Sequence, residues 1–131
     1  MTSSPRPLSP HLQVYRWQIQ MITSILHRAT GAILSIGSLL IVAALVALSA
    51  GPEMWSQVAE ISGSWLGLLV LFGWTWAFSY HLVNGIRHLL QDAGFGYAIG
   101  QFVFSSWFSV LGSIVLTLAL WGVVFSRGVF A

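Results

Sequence analysis

The residues able to do chemistry in this chain gather in two short runs. One is Ser24-Ile-Leu-His27-Arg28-Ala-Thr-Gly31. The other is His81-Leu-Val-Asn-Gly85-Ile-Arg87-His88-Leu-Leu-Gln-Asp92, which closes a long apolar stretch and holds two of the four histidines and the only aspartate. On an α-helix His81 and His88, seven residues apart, differ by about 20° in direction and about 10 Å along the axis. They share a face at different depths, so they cannot ligate one metal plane from opposite sides. If His81 holds a haem iron, the trans ligand must come from another helix, and no other apolar helix interior here offers a second histidine. Gly85, one turn along from His81, removes a side chain where a flat macrocycle would approach. The alternative is a hydrogen-bonded structural histidine, although ionisable groups inside a bilayer are costly and tend to mark sites.

Ser24 and Arg28 form an i, i+4 pair, with His27 one turn from Ser24. A hydroxyl beside a guanidinium can hydrogen-bond a ligand carbonyl or carboxylate and stabilise negative charge that builds up on reduction. The competing reading has Arg28 snorkelling to lipid headgroups and Ser24 bonding to its own helix. Taken together, the two runs suggest a haem edge with a polar pocket beside it. His81 would hold iron, His88 and Arg28 would neutralise propionates, and Asp92 would pair with Arg87 or orient His88.

Composition says what must carry these residues. Of 131 residues, 56% are hydrophobic and 6% charged, and mean hydropathy is +0.83; an ordinary soluble domain carries about a quarter charged residues. Too little polar surface exists to cover a globule, so the chain is an integral membrane protein. The formal charge of +2 is five arginines against three acids. Spread over a membrane chain, it is no nucleic-acid footprint. There is no cysteine, hence no disulfide, thiolate metal site or iron–sulfur ligand.

Residues 1 to about 20 carry Pro5, Pro7 and Pro10 and read as an extended segment at the membrane surface, with Tyr15 and Trp17 as interfacial anchors. Charge-free stretches run over 29–52, 61–80 and 93–126. Each is long enough to span a bilayer at about 1.5 Å per residue. The expectation is an all-α, integral membrane fold. A single transmembrane domain would have helices at about 21–50, 61–91 and 104–127, packing in a heteromeric helix bundle. Gly51-Pro52 ends the first helix, and Gly94, Gly96 and Gly100 mark a connection before the third. A cleaved signal peptide is a poor description of the first span, because its apolar core is too long and starts too late. Arg6, Arg16, Arg28 and Arg87 fall on one side and Arg127 on the other, so the N-terminus is expected in the cytoplasm. Gly31 with Ser35, and Gly63 with Gly67, suggest close helix approaches.

Three motifs in register carry a resemblance. They are Arg6-Pro-Leu-Ser-Pro-His11-Leu, the Ser24 to Gly31 run, and His81-x3-Gly85-Ile-Arg-His88-x3-Asp92. In order, spacing and placement the chain resembles the cytochrome b556 membrane anchors of succinate dehydrogenase (succinate:quinone oxidoreductase, respiratory complex II). The resemblance implies that His81 is an axial ligand to haem b, shared with a second small membrane-anchor subunit that supplies the other ligand. It implies that Ser24 and Arg28 bind ubiquinone, and that His27, Arg28 and His88 lie near the haem propionates. It also implies an iron–sulfur subunit and a flavoprotein subunit as partners, membrane lipids around the bundle, and no nucleic acid. The chain itself has no succinate-oxidising site, so it would act as a non-autonomous subunit. A bacterial inner membrane is expected rather than a mitochondrial one, since no transit peptide is evident. The alternatives are a haem-b anchor of another quinone-linked dehydrogenase and a cofactor-free membrane assembly subunit.

Overall fold

A computed structural model describes residue 14 and residues 16–128. The Arg6 to Leu12 segment and Tyr15 lie outside the described residues. Trp17 is exposed and precedes the first helix.

Four helices follow: α1 (Ile19–Ala50), α2 (Pro52–Gly63), α3 (Trp65–Asp92) and α4 (Ile99–Ser126). Among the described residues there are no strands. α1, α3 and α4 are each long and apolar enough to cross a membrane. At 32 residues, α1 is about 48 Å long, against a hydrocarbon core of about 30 Å. The span expected from about residue 104 starts at Ile99; Gly100 is tolerated in the first turn, where backbone N–H groups have no helical partner anyway.

The connection after α1 is itself a helix. Gly51 has φ 121°, a conformation open mainly to glycine, and turns the chain so that Pro52 opens α2. Ser64 then ends α2 and caps α3, its Oγ accepting from the Gly67 N–H at 3.1 Å. The stretch expected as one helix over 61–91 is therefore broken at Ser64. Gly67 lies under the carbonyls of Ile61 and Ser62 in this corner, and nothing approaches Gly63. The 63/67 pair serves the turn and not a helix–helix contact.

α3 runs antiparallel to both of its long neighbours. Thr23 of α1 meets Tyr80, and Gly37 meets Trp74; Ser105 of α4 meets Arg87, and Trp121 meets Phe72. The outer surfaces are covered with exposed Leu, Ile, Val and Phe, as lipid requires, while the protein-facing seams are small or polar. On α3 the buried side chains Ala77, Tyr80, Asn84, Arg87 and Gln91 recur every three or four residues. On α4 the stripe is Ser106, Ser109, Ser113 and Thr117. Each hydroxyl donates to a carbonyl one turn back, at 2.7 to 3.0 Å. These bonds make the hydroxyls tolerable without water.

Gly37 of α1 leaves room for Trp74 of α3, because a Cβ there would overlap the indole. Gly37→Ala should destabilise the protein by about 1–3 kcal/mol, read as a lower melting temperature in detergent. Gly73→Ala, where a Cβ meets open space, should cause no such loss.

Candidate functional site

The start of α1, the end of α3 and the start of α4 meet at one edge of the bundle. Tyr80, fully buried, donates its hydroxyl to the Thr23 carbonyl at 2.9 Å. This bond fixes the register of α3 against α1 immediately beside His81.

The three helical histidines come together. The rings of His27 and His81 stack in parallel, with centroids 4.0 Å apart and planes 7° from each other. His88 approaches the α1 histidine: its ring is 5.1 Å from that of His27 and tilted by 55°. Gly31 makes room for the stack, while Gly85 leaves only an ordinary van der Waals gap beside it. A Cβ on Gly31 would sit 3.1 Å from His81 Cε1, and one on Gly85 would sit 3.9 Å from His27 Cε1. The space expected over Gly85 for a macrocycle is thus bordered by His27. Gly31, proposed from its spacing to Ser35, does face a neighbouring helix. Ser35 instead bonds back to the Gly31 carbonyl at 2.9 Å and is exposed.

The surroundings of His81 decide where its proton sits. Nδ1 lies 3.2 Å from the His27 carbonyl oxygen and 3.3 Å from Thr30 Oγ1. The carbonyl can only accept. The Thr30 hydroxyl has one proton, and its shortest contact is to the Leu26 carbonyl at 2.8 Å, so it faces His81 with a lone pair. Both contacts call for a proton on Nδ1, so in the neutral ring Nε2 is the nitrogen that carries none. Nε2 makes no hydrogen bond within the described residues. A carbonyl on Nδ1–H is the usual way a protein orients an imidazole that binds metal through the other nitrogen. Among the described residues no three of His, Cys, Asp and Glu group to hold a metal ion.

On the outer side of α1, the Arg28 guanidinium donates through Nη2 to Ser24 Oγ at 3.3 Å. Arg28 is exposed and Ser24 half-buried. The serine keeps no bond to its own backbone, so the pair presents donors outward. His27 Nδ1 is buried without a hydrogen-bond partner among the described residues.

Two expected contacts do not form. Asp92 is exposed, with no ion pair to Arg87 and no hydrogen bond to His88 among the described residues. Arg87 and Asp92, five residues apart, point about 140° apart on a helix. Arg87 instead enters the α3–α4 seam, donating Nε to Ser105 Oγ at 2.9 Å and lying 4.6 Å over the Phe102 ring. Thr30, Asn84 and Gln91 were not singled out from the sequence. Thr30 is one turn from His27, and the 77/80/84/87/91 spacing was readable as a buried stripe.

The family described as succinate dehydrogenase/fumarate reductase transmembrane subunit matches residues 2–120. The chain belongs to this family. It is 47% identical over 113 residues, 86% of this chain and 87% of the relative, to the succinate dehydrogenase cytochrome b556 subunit of Paracoccus denitrificans. It is 40% identical over 116 residues to the subunit of the same name from Rickettsia conorii, covering 88% and 90% of the two chains. Identity to the mitochondrial succinate dehydrogenase cytochrome b560 subunit of Mus musculus is 38% over 121 residues, covering 89% of this chain and 68% of that one. The family match takes in α1 and α3 whole and most of α4, and the histidine edge lies where α1 and α3 meet.

Tyr80→Phe removes the α1–α3 bond without leaving a buried donor unpaired. It should cost about 0.5–1.5 kcal/mol, measured as a drop in the melting temperature of the purified complex.

Proposed function

We propose that this chain is the haem b-binding membrane anchor of a succinate:quinone oxidoreductase, with His81 as one axial ligand through Nε2. The observation that carries this reading is the clamp on His81 Nδ1 between the His27 carbonyl and Thr30 Oγ1. It is supported by the cytochrome b names of the relatives. The second ligand is contributed by a second small anchor subunit, and an iron–sulfur subunit and a flavoprotein subunit complete the complex. Haem bound at this edge supplies a one-electron relay. The chain's own residues orient it: Thr30 and the His27 carbonyl hold the His81 ring, while His27, Arg28 and His88 provide the positive or hydrogen-bonding groups for its propionates.

Ser24 and Arg28 form this chain's part of the ubiquinone site. Arg28 donates toward a quinone carbonyl and stabilises the negative charge that builds on its oxygen during reduction. Ser24 holds the guanidinium in place and offers its hydroxyl. Succinate oxidation takes place on the partner subunits, which deliver the electrons. The protein lies in a bacterial inner membrane with its N-terminus in the cytoplasm. Arg16 and Arg28 at the histidine edge, against Arg127 at the opposite end of α4, favour that orientation. Arg87 adds less than its charge suggests, because it is buried between helices.

Two substitutions test the assignment. His81→Ala should strip haem b from the purified complex while the partner subunits still co-purify; full haem content with an unchanged low-spin spectrum would place the ligand elsewhere. Arg28→Ala should lower kcat/KM for ubiquinone reduction about 10- to 100-fold while reduction of a soluble dye by succinate continues. A parallel fall in both activities would make Arg28 an assembly residue instead.

A further inference from the structure

Where α3 ends and α4 begins, a small and mostly apolar pocket lies near the histidine edge. It is a cavity of about 160 Å³ bounded by Arg87, Gln91 and Ser105, with Leu90, Phe95 and Phe108 as apolar walls. That is ample for several atoms of a polar group, since a single water needs only about 10–15 Å³. Arg87 and Gln91 are each only 8% exposed. Arg87 Nη2 and Gln91 Nε2 are both buried with no hydrogen-bond partner. The two residues are four apart on one helix face and both line this pocket, with their unused donors buried among the described residues.

The charge there is uncompensated. Ser105 takes the Nε proton and Phe102 covers one face of the guanidinium, but neither carries a negative charge. The whole chain has three acids. Glu53 and Glu60 belong to α2 at the far end of the bundle, and Asp92 is exposed and makes no ion pair. A buried cation in a membrane protein calls for an anion, and this chain offers none. Arg87 lies about 7.5 Å from the end of α3, near the boundary between hydrocarbon and headgroups. Leu90, Phe95 and Phe108 are more than half exposed, so the pocket opens onto lipid.

We propose that Arg87 and Gln91 bind the phosphate group of a membrane phospholipid, with Leu90, Phe95 and Phe108 against the first carbons of its acyl chains. The guanidinium supplies a charge-assisted bond through Nη2, and the Gln91 amide supplies the second donor. This ligand is separate from haem and quinone, and its loss leaves the histidine cluster untouched.

The complex purified through this chain should retain a phospholipid through detergent washing, seen by native mass spectrometry. After delipidation it should rebind phosphatidylglycerol. Arg87→Gln and Gln91→Leu should each weaken that rebinding about tenfold or more, with haem content unchanged. Gln91→Leu leaves the Arg87–Ser105 bond in place and decides the matter if the arginine variant fails to assemble. Equal lipid affinity in wild type and both variants would overturn the proposal. So would inorganic phosphate binding to the delipidated complex in place of the lipid, or a partner subunit's carboxylate cross-linking to this pocket.

Discussion

The clamp on His81 depends on α1 and α3 lying close enough for a backbone carbonyl of one helix to reach a side chain of the other. A carbonyl already used inside a helix still has a second lone pair, and His27 offers it to the Nδ1–H of His81. That is possible only because Gly31 has no side chain where the His81 ring lies and because Tyr80 ties the register one residue earlier. Farther along, Gly37 lets Trp74 close the same seam. A Cβ at Gly31 would crowd the His81 ring, and one at Gly37 would displace the Trp74 indole from the seam.

The bilayer explains why the rest of the chain looks as it does. Apolar side chains gain little by leaving lipid for one another, so close packing and internal hydrogen bonds hold the helices together. α4 answers with a stripe of hydroxyls, each bonded to its own backbone and slim enough to let α3 approach. α3 answers with a stripe that is apolar at Ala77 and increasingly polar toward Gln91. The gradient follows depth: groups hard to satisfy in hydrocarbon gather near the edge, where ligands, partner subunits and headgroups are in reach. Asn84, completely buried with both amide atoms unpartnered among the described residues, departs from this pattern, as do the Ser79 hydroxyl and the indole nitrogens of Trp74 and Trp76. Asn84 sits on the same stripe, one turn before Arg87.

The spans were legible because charge-free runs of more than about 18 residues leave few alternatives. The chemistry-bearing residues were legible too, since Ser24, His27, Arg28, His81 and His88 had to fall at one edge once the spans were counted. What periodicity could not supply was partnership across helices. It placed His88 and His81 on one face, but not His27 between them, and it offered Asp92 to Arg87 although the two point in different directions. α2 was hidden by its own composition: Gly51-Pro52 and the polar residues after it resemble a loop, yet proline is also a favoured first residue of a helix. The start of α4 was placed late because three glycines suggested a longer connection.

The proposed role of His81 is to hold a haem iron through Nε2, with the second ligand coming from another subunit. It is tested most directly by a dithionite-reduced minus oxidised visible spectrum of the complex purified through this chain, with the co-purifying proteins identified by mass. The account predicts a low-spin b-type haem together with a flavoprotein, an iron–sulfur protein and a second small membrane anchor. The same partners with no haem would contradict the role given to His81 and leave its clamped imidazole a structural contact between α1 and α3.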